Sequence, residues 1–163
     1  MSSIAICALT ASASYDERCG RVSLPGFYLH PKDAADAVAA FTGVAVPQNP
    51  AGTSCFLLFR MGLRDGIPWG APDNKSNGAR FSILVNGQAV FQEDFAKSQW
   101  QARTIDMLPY AGQTVSIEFH TNSIDNNPSY DWCVFGQPML VNVTSPPSYR
   151  ELPEDTVGVA LAQ

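Results

Sequence analysis

WQARTIDMLPYAGQTVSIEFHTNSIDNNPSYDWCVFGQPML, residues 100–140, reads as two β-strands joined by a long loop rich in Asn, Asp, Ser and Tyr. In the run TVSIEFHT, Val115, Ile117 and Phe119 alternate with Ser116, Glu118 and His120. One face of an extended chain is then apolar and the other polar, the pattern of a half-buried strand. Ahead of it, Pro109-Tyr110-Ala111-Gly112 makes a tight turn, with Pro fixing φ and Gly free to take φ > 0. Behind it, residues 122–130 bring amides, carboxylates and an aromatic ring to one place, a set of groups suited to a polyhydroxylated partner.

The same reading extends along the chain. Asn86-Gly87 between FSILV and QAVF is a hairpin signal, because a type I′ turn needs φ > 0 at both central residues. Strands are expected near 4–11, 27–30, 37–46, 55–61, 79–85, 89–92, 101–105, 114–121 and 132–143, about nine in all. Residues 33–41, DAADAVAAF, contain good helix formers with Asp33 as a possible N-cap. Val38, Ala40, Thr42, Val44 and Val46 keep period two through Gly43, which favours a strand. Twelve Gly and twelve Pro in 163 residues favour turns over long helices, and the length suits one compact domain. The expected class is all-β, an antiparallel two-sheet sandwich over residues 1–144. A Pro-rich exit at Ser145-Pro146-Pro147 leads into a C-terminal arm, residues 145–163, ending in the apolar run VGVALA.

Charge and composition exclude several partners. The net charge is −5 with ten scattered Lys and Arg, so a phosphate backbone would meet repulsion with no basic stripe to offset it, and no nucleic acid is expected. No apolar run approaches the roughly 20 residues that span a bilayer as a helix, so no membrane is expected either. The apolar run 4–13 ends in Ala-Ser-Ala, but no Lys or Arg precedes it; it is read as a first strand rather than a signal peptide. Cys7, Cys19, Cys55 and Cys133 fit no zinc knuckle. Free thiols are expected, with a Cys7–Cys19 disulfide as the alternative outside a reducing compartment.

Two loops carry the candidate site. Residues 62–78, GLRDGIPWGAPDNKSNG, hold Arg64, Asp65, Trp69, Asp73, Asn74 and Asn77 in one irregular excursion, and long ordered loops are often functional. They are expected to face residues 122–130. A pyranose needs a flat aromatic face for its C–H side and planar donors and acceptors for its hydroxyls. The candidate carbohydrate-binding set is Arg64, Asp65, Trp69, Asn126, Asn127 and Tyr130. Trp132, followed by Val134 at strand spacing, is assigned to the core, while Trp100 suits either role. Catalysis has no motif to support it: there is no nucleophile elbow, metalloprotease helix, phosphate loop or dinucleotide fingerprint. His120 beside Glu118 has no accompanying nucleophile.

The run TIDMLPYAGQTVSIEFHT with NNPSYDWCVFGQPML, together with LPGFYLHP, CFLLFRMGLRDG and ARFSILVNGQAVFQEDF, resembles the jelly-roll carbohydrate-binding modules appended to bacterial glycoside hydrolases. The resemblance spans residues 24–143. It implies a non-catalytic antiparallel sandwich that binds polysaccharide or cell-surface glycan, often with a structural calcium whose ligands it does not place here. Without a catalytic domain or signal peptide in the chain, the expected setting is extracellular or a virion surface, where the module attaches a particle to glycan. The alternative is a structural decoration, cement or filament subunit with no sugar site, its arm docked on neighbouring protein subunits.

Overall fold

The structure is a computed structural model and describes residues 4–7, 11–32, 35–49, 51–70 and 76–143. Among these, the chain forms ten strands: β1 Ile4–Cys7, β2 Ala11–Cys19, β3 Val22–Leu29, β4 Ala37–Ala45, β5 Ser54–Leu63, β6 Ala79–Val85, β7 Gln88–Phe95, β8 Gln101–Asp106, β9 Thr114–Ser123 and β10 Cys133–Val143. A single 3-10 turn, Leu108–Tyr110, precedes β9. The strands make two five-stranded antiparallel sheets, ordered β1-β4-β9-β6-β7 and β2-β3-β10-β5-β8. The expected sandwich is correct. The strand beyond the expected nine is β2.

The two strands that flank the long loop of the opening stretch, β9 and β10, are the central strands of the two sheets; β8 comes from the same stretch and lies at a sheet edge. The loop between them therefore crosses the end of the sandwich from the middle of one layer to the middle of the other. Val115, Ile117 and Phe119 of β9 point inward with Phe81, Ile83 and Val85 of β6, all buried in one core. From the facing sheet come Phe27, Leu57, Phe59, Met61, Leu63 and Phe135, alternating along their strands as an inner face must. Phe119 lies 5.0 Å from Phe135 at 70° and 5.3 Å from Phe27 at 77°, edge-to-face contacts that lock one sheet to the other.

Asn86 and Gly87 take φ of 51° and 77°, the primed turn their sequence implies. Residues 37–45 are a strand, as their period suggests, but the period is broken. Phe41 pairs with Ile117 and Val44 with Val115, so Thr42 and Gly43 together oppose one residue of β9, with Gly43 at φ 70°. The bulge transfers the inward positions from Ala37, Ala39 and Phe41 to Val44. Val38, Ala40 and Thr42 consequently face out, and the uninterrupted alternation read through Gly43 is corrected.

The sandwich edge formed by β7 and β8 is closed by charge. Glu93 pairs in register with the inward Phe81, and Arg103 with the inward Phe59, so both side chains point between the sheets. Arg103 donates from Nε to Glu93 Oε2 at 2.7 Å and from Nη2 to Oε1 at 2.5 Å. Asp33, Asp73, Asn74 and the expected arm 145–163 lie outside the described residues.

Candidate functional site

The crossing loop, residues 124–132, is held by contacts from each of its neighbours. His30 Nε2 donates to Pro128 O at 2.8 Å, Ser76 Oγ to Asp131 Oδ1 at 2.9 Å, and Arg64 N to Trp132 O at 2.8 Å. The last two join it to the excursion that follows β5, so the two loops singled out in the sequence do meet. The β2–β3 hairpin turn completes the corner. Gly20 and Arg21 take φ of 61° and 67°, and their amides donate to Asp65 Oδ1 and Oδ2 at 2.8 and 3.0 Å. Arg18 Nε lies 3.3 Å from Asp65 Oδ2, and Asp65 N donates to Arg18 O at 3.0 Å.

These elements enclose an open cleft of about 460 Å³ lined by Arg18, Tyr28, Arg64, Asp65 and Trp132. The register explains its composition. Cys133 and Phe135 take the core side of β10, which turns Trp132 and Val134 to the outer face of the sheet, where Val134 pairs with Tyr28. Trp132 is half-buried, seated at the core margin with Tyr130 5.6 Å away at 53°. The expectation of a core Trp132 is corrected: the core positions belong to its neighbours. Arg64 lies with Cζ 5.2 Å from the Tyr28 ring centroid, a cation–π arrangement that covers that ring. Trp132 is the other aromatic ring of the cleft wall.

Glu17 is buried behind Arg64, its Oε2 3.2 Å from Arg64 Nε in an ion-pair contact without hydrogen-bond geometry. Burial raises the Glu17 carboxyl above its ordinary range, opposed by Arg64 and reinforced by Asp16. Burial likewise pushes the Tyr28 phenol up to about 12 and the Asp131 carboxyl up to about 6. Cys19 is a free thiol that donates to Leu63 O at 2.9 Å; the side chain of Cys7, its partner in the alternative bridge, lies outside the description.

Of the sequence-derived candidates, Arg64 and Asp65 line the cleft and Tyr130 backs Trp132. Trp69 is exposed, with Nε1 donating to Ser98 Oγ at 2.8 Å, and is not part of the cleft wall. Asn126 and Asn127 are also absent from that wall. Asn127 Oδ1 accepts from Ser129 N at 3.2 Å and Asn127 N donates to Asp125 Oδ1 at 3.0 Å, bonds that shape the turn. Sequence reasoning missed Arg18, Tyr28 and Trp132 as cleft residues. His120 is on the other sheet, 2.9 Å from Asp36 Oδ2 through Nδ1 and 2.9 Å from Glu118 Oε2 through Nε2, a strap across the outer face.

The calcium implied by the resemblance would take six to eight oxygen ligands. Among the described residues no three His, Cys, Asp or Glu side chains converge as a metal-holding group. Asp131 Oδ2, buried without a hydrogen-bond partner, is a single oxygen.

No protein-family model matches the chain, and no curated protein matches it in sequence. Solved structures do match in fold. The CBM51 module of Clostridium perfringens GH95, in complex with methyl-galactose, superposes with a TM-score of 0.54 at 10% identity over 85% of this chain and 100% of that one. The CBM51-2 and INT domains of Clostridium perfringens ZmpB, with CBM51-2 in complex with GlcNAc, match at 0.51 and 13%, covering 83% of this chain. This chain spans only 28% of that longer one. CBM27-1 of Caldicellulosiruptor saccharolyticus, in complex with mannohexaose, matches at 0.51 and 12% over 82% of each chain. The likeness is one of architecture: the chain folds as a two-sheet β-sandwich of the kind found in the carbohydrate-binding modules of bacterial glycoside hydrolases.

Proposed function

We propose that this chain binds glycan without acting on it, and that the sugar lies in the cleft with one face on Trp132. The observation that carries the reading is the composition of that cleft. A half-buried indole stands beside two guanidinium groups and a carboxylate, in a volume within the usual range of about 300–1,000 Å³ for small-ligand sites. An aromatic plate takes the C–H face of a pyranose, and planar polar groups around it fix its hydroxyls. The fold likeness supports the same class of ligand by analogy alone. The proposal is of a binding protein because His120, Glu118 and Asp36 bond to one another on the opposite sheet, away from the cleft. It places the protein where glycan is found, outside a cell. Display on a virion or particle forms no part of the proposal.

Retention on a panel of immobilised polysaccharides tests it. Trp132→Ala is expected to lose at least tenfold in affinity, on the scale of one stacking contact of about 1.5 kcal/mol, with the strand-rich circular-dichroism spectrum kept. Trp69→Ala, altering an exposed ring outside the cleft, is expected to bind as the unaltered protein does. The reverse pattern, with Trp69 essential and Trp132 dispensable, would move the sugar to the loop excursion. No retention on any polysaccharide would reject the reading.

A further inference from the structure

Resting on the glycan reading of the cleft, we infer that its preferred ligand is an anionic glycan whose acidic group pairs with Arg18 and Arg64. The chain as a whole is acidic, at −5 with ten Lys and Arg in 163 residues, yet two of those arginines line one cleft. Arg21 joins the same corner through its backbone amide on Asp65. Counted with their ion-pair partners Asp65 and Glu17 the two guanidinium groups are formally balanced, so what the placement offers a ligand is their donors rather than a net positive patch.

The acids beside these arginines are their own ion-pair partners, Asp65 to Arg18 and Glu17 to Arg64. Asp65 accepts from the amides of Gly20 and Arg21 with its two oxygens before it meets Arg18, so its charge is shared with the turn it holds. Glu17 is 1% exposed and lies behind Arg64, shielded from the ligand by the guanidinium itself. Both ion pairs make their closest approach through the arginine Nε, at 3.3 and 3.2 Å. A guanidinium held from its Nε side keeps donors at Nη for a second partner, and two such forks match the planar oxygens of a carboxylate or the oxygens of a sulfate. The two side chains are 60% and 43% exposed, so neither must shed a buried position to reach a ligand. The Tyr28 ring beneath Arg64 fixes one of the forks in place, reducing the ordering that binding requires.

Calorimetric titration of the full chain with matched oligosaccharides tests this. One pair is an oligogalacturonate and its methyl ester; the other is a sulfated galactan oligomer and its desulfated form. The anionic member of at least one pair is expected to bind about tenfold or more tightly than its neutral partner, the scale of one charge-assisted hydrogen bond. Which pair shows the larger ratio identifies carboxylate or sulfate as the group. The preference is expected to shrink as salt rises and to fall several-fold in Arg18→Gln, a change at an exposed side chain that leaves Glu17 its partner. Arg64→Gln is expected to abolish it. Equal affinity for charged and neutral members, with measurable binding of both, overturns this inference and leaves the glycan reading standing. No binding of any of the four overturns this inference, and retention on the polysaccharide panel decides the glycan reading by itself.

Discussion

Asp131 is fully buried, with one oxygen accepting from Ser76 Oγ and the other without a hydrogen-bond partner. Burial raises its carboxyl from 3.8 to about 6, the direction expected where the charged form is penalised. Because the folded form holds its proton to higher pH than the unfolded chain, the folded state is favoured below about pH 4. That advantage is lost as pH rises from there through about 6. Glu17, raised by burial, acts in the same sense. Asp94, lowered by its hydrogen bonds from Arg80, acts in the opposite sense below the ordinary carboxylate range. Thermal melts are therefore expected to show a higher midpoint at pH 5 than at pH 7. Asp131→Asn, which keeps an acceptor for Ser76, should flatten much of that rise and add on the order of 1–3 kcal/mol at pH 7. A midpoint that falls steadily from pH 7 to 5 would mean that Asp131 is held ionised by something that favours its charge. At this scale the sequence was a partial guide. Arg64 and Asp65 stood out because loop position and chemistry coincide in them. Tyr28 was hidden inside an apolar run, where only the register with Val134 shows which way its ring points, and Trp132 looked like core because it shares a face with Val134, which is buried but on the outer side of the sheet.

Among the elements, β9 and the β6–β7 hairpin were legible because one-sided burial writes a clean alternation and a primed turn demands Asn-Gly. β2 was not, since ASASYDERC has no apolar alternation. It pairs with β3 and aligns Glu17 and Arg18 with the loop after β5. The bulge in β4 was invisible for another reason: Gly43 is compatible with continuing a strand as well as with breaking its register. Edge closure by Arg103 and Glu93 could not be read either, because β7 and β8 lie in different sheets and only the packed layers bring them together. Inward charges on edge strands also discourage pairing with another chain. The side chains are 28% and 29% exposed, so the pair is worth more than a surface bridge and less than a buried one. A double-mutant cycle with Arg103→Ala and Glu93→Ala in urea unfolding is expected to give a coupling of about 1 kcal/mol. The single variants should aggregate sooner on heating than the unaltered protein. A coupling indistinguishable from zero would reduce the pair to a surface contact without a role in closing the edge.

Across the whole molecule, the site and the core share one construction. β9 and β10 follow each other in sequence but stand at the centres of opposite sheets, so the loop that forms one side of the cleft starts and ends on the central strands of the sandwich. The cleft is thereby attached to the part of the fold with the least freedom to move, which suits a ligand bound by preorganised groups. The same arrangement makes stability depend on contacts between the layers. Phe119 meets Phe27, Phe59 and Phe135 of the other sheet, so removing it should be felt by both layers at once. Phe119→Ala is expected to lose about 3–5 kcal/mol, read as a lower urea midpoint with a single transition retained, since the two sheets have one core between them. Combined with Phe135→Ala in a cycle, the two rings should couple by about 0.5–1.5 kcal/mol, matching their 5.0 Å separation and 70° interplanar angle. Two separate transitions in Phe119→Ala would show instead that each sheet holds its own structure without the other. The loop joining the central strands could then not be counted as rigidly held, and the preorganised cleft would lose its physical basis.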